Sequence, residues 1–139
     1  MTPGHFIEER KILFGECDPA GFLYTPRICE YVVESALLFL TTILEEPFER
    51  YIFGQSMSLP ARNLDVDFLR PLTWDDRIRL YASVSDVRKH AYTIQISATN
   101  EHDERAFRGH ITQVCVSIDR KSITEIPTKL RAALERFAA

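Results

Sequence analysis

The chain has 139 residues, 45% hydrophobic and 27% charged, which fits one ordinary globular domain and excludes disorder or a second domain. Its 20 acids against 17 Lys and Arg give a net charge of −3, so no basic face for nucleic acid is expected. Met1–Arg10 lacks an apolar run, and Glu34, Ser35, Thr41 and Thr42 interrupt the apolar stretch Tyr31–Leu44; no signal peptide or membrane partner is expected, and the protein reads as cytoplasmic.

Phe6–Phe14 is predicted as a short strand, with Ile12 and Phe14 on one face, ended by the turn Asp18-Pro19-Ala20-Gly21. Thr25-Pro26 then reads as a helix start, with Thr25 as the cap and Pro26 in the first helical position, where a missing N–H costs nothing. That helix is predicted to run from Pro26 to Glu45 and to stop before Pro47. Glu30, Glu34, Thr41 and Glu45 make one narrow polar stripe on it, so protein is expected around most of its circumference.

Beyond a loop holding Pro47, Gly54 and Pro60, alternating segments predict strands. These are Arg62–Leu69, Arg77–Val87, Tyr92–Ala98 and Phe107–Ile118, with turns at Arg88-Lys89-His90 and Asn100–Glu104. A short helix, Thr128–Phe137, closes the chain. One strand, a long helix, a run of antiparallel strands and a last helix define an α+β domain, with a curved sheet wrapped around the central helix as one physical solution.

Two readings of Asp18 stand side by side. An Asp before Pro commonly caps its own turn. A carboxylate aimed at a helix N-terminus, where free N–H groups face a developing anion, is also a workable catalytic pair. Cys17, Cys29 and Cys115 form an odd, widely spaced set and read as reduced thiols, with no zinc or other metal site. No His close in sequence activates Cys17 as a nucleophile. His5, His102 and His110 fall in no ligand or triad spacing.

The segment Phe14-Gly15-Glu16-Cys17-Asp18-Pro19-Ala20-Gly21, the aromatic-Thr-Pro helix entry and the strand Leu64-Asp65-Val66-Asp67-Phe68-Leu69-Arg70-Pro71-Leu72 resemble the hotdog-fold acyl-CoA thioesterases of the 4-hydroxybenzoyl-CoA thioesterase type. The resemblance implies a hotdog fold over 1–139 that hydrolyses an acyl-CoA or aroyl-CoA, as a homodimer or homotetramer with its sites at subunit interfaces. It makes Asp18 the catalytic carboxylate and the Thr25 backbone N–H the donor that polarises the thioester carbonyl. Pro19, Gly21, Tyr24 and Val33 then border the substrate, and Arg88, Lys89 and His90 lie near the coenzyme A phosphates. No cofactor is implied, since coenzyme A belongs to the substrate.

Three positions depart from the family's pattern. Arg27 and Ile28 stand where relatives often carry Asn and an aromatic. Val33 aligns with the carboxylate that receives a substrate phenol, and an unpaired buried hydroxyl there would cost about 1–3 kcal/mol. An apolar acyl group is therefore expected in place of 4-hydroxybenzoyl. A non-catalytic acyl-CoA sensor and a hydratase or dehydratase on the same fold are the competing functions. The latter usually carry a His at the turn or helix entry, and this chain has none between His5 and His90.

Overall fold

Alternating apolar residues build a five-stranded antiparallel sheet packed on one long helix. The computed structural model describes residues 4–138, so the first three residues of the Met1–Arg10 leader reading and the last residue of the expected 1–139 domain lie outside it. Strand β1 (His5–Lys11) leads to a single 3-10 turn at Phe14–Glu16, then to helix α1 (Thr25–Leu44) and helix α2 (Phe48–Gly54). There follow β2 (Met57–Ser58), β3 (Ala61–Phe68), β4 (Arg77–Val87), β5 (Ala91–Thr99) and β6 (Arg105–Val114), then β7 (Val116–Ser117), β8 (Ser122–Ile123) and α3 (Thr128–Arg136). The large sheet has the order β1-β4-β5-β6-β3, and β2, β7 and β8 form a small second sheet.

The period of two explains the burial. Ile78, Leu80, Ala82 and Val84 on β4 and Ile94, Ile96 and Ala98 on β5 turn inward and are buried. They meet Tyr31, Val32, Ala36, Phe39, Leu40 and Ile43 of α1, which packs across β4, β5 and β6. Gly109 on β6 allows the closest approach, because a Cβ there would lie 2.6 Å from Val32 Cγ2 and 3.2 Å from the Asp65 carbonyl. The sheet therefore curves around the helix, the hotdog arrangement that the resemblance implies.

Five expectations need correction. The first strand stops at Lys11, and Phe14 is 76% exposed, because Ile12 leaves the ladder to exchange backbone bonds with Asp75 and Asp76. Helix α1 begins one residue earlier than predicted: Tyr24 is its cap, with no side-chain capping bond, and Pro26 sits second, where its missing N–H is still harmless. The presumed loop after Pro47 contains α2, and the last predicted strand breaks into β6 and β7 around the buried Cys115. Within this chain α1 is also less enclosed than expected, with Leu37 at 40% and Leu38 at 46% exposure.

Candidate active site

The turn after β1 is held by its own backbone. The Asp18 N–H donates to the Phe22 carbonyl at 2.8 Å, and the Gly21 N–H donates to the Asp18 carbonyl at 2.9 Å. Gly21 has φ +90, a backbone state that side chains with a Cβ rarely adopt, so glycine is required by conformation. The Leu23 N–H donates to the Leu72 carbonyl at 2.8 Å, and Thr73 Oγ1 donates to the Gly21 carbonyl at 2.7 Å. These bonds fix the turn against the loop that leads into β4.

Asp18 itself is half-buried, and its two carboxylate oxygens differ. Oδ1 accepts the N–H groups of Ala20 at 2.9 Å and Phe22 at 3.2 Å, as the capping reading expects. Oδ2 has no partner among the described residues. One oxygen thus anchors the turn, and the other is free of protein partners among the described residues.

The helix start offers a matching donor. The Tyr24 N–H is taken by the Glu16 carbonyl at 3.0 Å, Pro26 has none, and the Arg27 N–H donates to the Tyr24 carbonyl at 2.9 Å. Among the described residues, the Thr25 N–H donates to no acceptor. It is a free amide at the positive end of a 20-residue helix.

The two groups flank different recesses. Asp18 lines one of about 250 Å³ with the charged Glu16 and Arg27 and with Gly15, Pro19 and Tyr24. Thr25 lines an apolar one of about 290 Å³ with Phe22, Ile28, Phe68, Leu69 and Phe107. Phe22 and Leu23 face the Thr25 recess, and Tyr24 faces the Asp18 recess. Arg27, set apart above only as a departure from the family, is the cation that shares the Asp18 recess, with one nitrogen bound to Glu30 at 3.1 Å.

Other predicted residues lie elsewhere. Val33 is half-buried and packs against the core one turn or more beyond the helix start. The Arg88-Lys89-His90 turn joins β4 to β5, at the opposite end of β4 from the Asp18 turn. Eleven residues of strand separate them, about 33 Å at the usual rise. Arg88 pairs with Asp86, Lys89 pairs with Glu125 at 3.6 Å, and Arg131 binds the carbonyls of Arg88 and Lys89. Burial, then the neighbouring charges of Asp18 and Glu16, push the Cys17 thiol up from its ordinary range, which disfavours a thiolate nucleophile.

The sequence reading missed Glu16. Its side chain is buried, its Oε2 accepts the Tyr31 hydroxyl at 2.7 Å, and its Oε1 accepts the Leu13 N–H at 3.1 Å. It also missed that Phe68–Leu72 walls a recess. A run of exposed apolar side chains on an edge strand, Leu64, Phe68 and Leu69, is the signal that points there.

Residues 12–134 match the sequence pattern of the thioesterase-like superfamily. The chain belongs to this superfamily. Among its relatives is the 1,4-dihydroxy-2-naphthoyl-CoA hydrolase of Thermosynechococcus vestitus, 24% identical over 130 residues that cover 91% of this chain and 86% of that one. A thioesterase-superfamily structure from Jannaschia sp. CCS1 superposes with a TM-score of 0.87 at 21% identity, covering 100% of this chain and 99% of that one. A Staphylococcus aureus protein solved in complex with CoA superposes at 0.86 and 9% identity, covering 99% and 86%. The two structural likenesses establish the fold. Among the described residues of this superfamily member, no helix is long and apolar enough to cross a membrane, and no group of three or more His, Cys, Asp and Glu could hold a metal ion.

Proposed function

We propose that this chain hydrolyses the thioester bond of an acyl-CoA or aroyl-CoA to the free acid and coenzyme A. The observation that carries the reading is that the segment leading into α1 holds both a half-satisfied carboxylate, Asp18, and an unpaired helix-start amide, Thr25. A thiolate leaves readily, its pKa being close to the value of about 8.5 for Cys. The two remaining needs are activation of water, or a direct nucleophile, and an oxyanion donor. Asp18 Oδ2 supplies the first as base or as nucleophile, and the Thr25 N–H, with the helix dipole behind it, supplies the second.

The thioester lies beside Pro19, Gly21 and Tyr24, and the acyl group enters the apolar recess. Among the described residues, Thr25 and Arg70 are the only polar side chains lining that recess. An apolar aroyl or medium-length acyl group fits this lining better than a hydroxylated ring. The curated relative named above is a hydrolase of a dihydroxylated aroyl-CoA, so the acyl specificity of this chain differs from that relative's. No cofactor is needed for this chemistry.

A second copy completes the site. Strand β3 is a sheet edge whose residues are nearly all exposed, and its last residue, Phe68, walls the apolar recess together with Leu69. An unpaired edge of this kind is a template for another strand. Pairing of β3 with its counterpart in a homodimer extends the sheet and closes the recess, and homotetramers follow from pairing of dimers. Arg88, Lys89 and His90 lie too far along β4 to serve the CoA of their own chain's site, so any phosphate they hold belongs to a site on another copy.

The test is thiol release measured across benzoyl, medium-chain acyl and 4-hydroxybenzoyl thioesters of CoA. Benzoyl or medium-chain esters are expected to turn over fastest. A clear preference for the 4-hydroxybenzoyl ester would overturn the apolar assignment, and tight binding without turnover of any ester would overturn hydrolysis.

A further inference from the structure

Glu16 is the only buried carboxylate among the described residues, at 7% exposure. Burying such a charge is costly unless it is paired and hydrogen-bonded, and an apolar residue of similar volume is often no worse for stability. Its bonds therefore bear on what it does. Tyr31, on the second turn of α1, donates its hydroxyl to Oε2 at 2.7 Å, and the Leu13 N–H at the start of the 3-10 turn donates to Oε1 at 3.1 Å. Arg10 of β1 reaches Oε2 at 3.5 Å, lies 3.9 Å above the Tyr31 ring and pairs with Glu34 at 3.3 Å. The Glu16 main chain adds the carbonyl that accepts the Tyr24 N–H.

One residue thus ties β1, the turn and α1 together. Asp18 follows it by two residues in the same recess, and Thr25 follows the residue its carbonyl holds. We propose that Glu16 is a positioning residue for thioester hydrolysis: through Tyr31 and Leu13 its carboxylate sets the Asp18 turn against the helix start that presents the Thr25 N–H. It touches no reacting atom. A misplacement of about 1 Å between such groups can cost on the order of a hundredfold in rate, so the contact matters more for turnover than for binding.

The proposal rests on Asp18 and Thr25 being the reacting groups, and the experiment separates the two. Thiol release from benzoyl-CoA is measured for Glu16→Gln, Tyr31→Phe, their double variant and Asp18→Asn, each checked for folding by circular dichroism. The proposal expects kcat to fall about tenfold or more in Glu16→Gln with KM within about twofold, a smaller fall in Tyr31→Phe, and no further fall in the double variant, as for residues acting as a unit. Folded Glu16→Gln and Tyr31→Phe proteins with wild-type kcat and only a lower melting temperature would overturn it. If Glu16→Gln does not fold, the same kcat and KM split in Tyr31→Phe decides. Activity retained in Asp18→Asn would instead refute the assignment of Asp18, whatever the Glu16 variants do.

Discussion

The Glu16 carbonyl accepts the Tyr24 N–H at 3.0 Å, and this single bond joins the turn that carries Asp18 to the cap of the long helix. It also consumes the one N–H that would otherwise compete with Thr25 at the helix start. Pro26 brings no donor and Arg27 turns its own inward to Tyr24, so the free amide is a consequence of the residues on either side of it.

Close packing of α1 on β6 gives a first prediction. Gly109→Ala places a methyl 2.6 Å from Val32 Cγ2, which a packed helix cannot readily yield. A loss of about 1–3 kcal/mol is expected in urea unfolding. Val32→Ala in the same chain should recover part of that loss, because it removes the atoms in collision. Simple addition of the two single losses would show that the contact is not the cause.

The apolar recess gives a second. Leu69 lines it and is 46% exposed, so a larger side chain there narrows the recess without entering the core. Leu69→Trp is expected to lower kcat/KM for medium-chain or benzoyl esters by about tenfold, the scale of a one- or two-methylene mismatch, while acetyl-CoA is hardly affected. Equal losses for short and long acyl groups would place the acyl chain elsewhere.

Alkaline stability gives a third. Burial, reinforced by the hydrogen bond to Glu16, pushes the Tyr31 phenol well above its ordinary range. An unfolded Tyr ionises at about pH 10. The folded chain therefore holds this proton more tightly, and the associated stability is complete below about pH 10 and is lost as pH rises towards the folded value. Tyr92, raised well above its ordinary range by burial, acts in the same direction. Urea unfolding between about pH 9 and 11 should show a shallower alkaline decline in Tyr31→Phe than in the parent chain, with the Tyr92 share remaining. Identical slopes would mean that Tyr31 is not held as its bond to Glu16 requires.

How far the sequence spoke for itself depended on how local each cause was. Arg77–Val87 reads as a strand because one of its faces is covered, so Ile78, Leu80, Ala82 and Val84 alternate cleanly. Leu64, Val66 and Phe68 alternate just as well, yet Leu64 is 40% and Phe68 54% exposed, because the described residues leave these two side chains largely uncovered. Alternation records an intended face and says nothing of who covers it. Helix α2 was hidden by length: seven residues between Pro47 and Gln55 are too few to display a helical period. Phe14 continued an alternation that the backbone had already left.

The site divides in the same way. Asp18 and Gly21 were legible because turn chemistry is written in adjacent residues, and the Thr25-Pro26 helix entry was legible within one residue. Glu16 was not, since its partners Tyr31 and Arg10 lie fifteen and six positions away and an acid between Gly15 and Cys17 looks like a solvated loop. The Arg88-Lys89-His90 turn was found as a turn, but its distance from Asp18 depends on the direction and length of β4, which no short motif conveys.

The central claim is that Asp18 Oδ2 drives thioester hydrolysis while Oδ1 holds the turn, and Asp18→Asn tests it most directly. The amide oxygen can still accept the Ala20 and Phe22 N–H groups, so the turn and the fold should persist. Thiol release from the best CoA ester is predicted to drop by about a hundredfold or more, the usual contribution of a general base, with circular dichroism and melting temperature close to those of the parent. A folded Asp18→Asn protein with undiminished turnover would contradict the account.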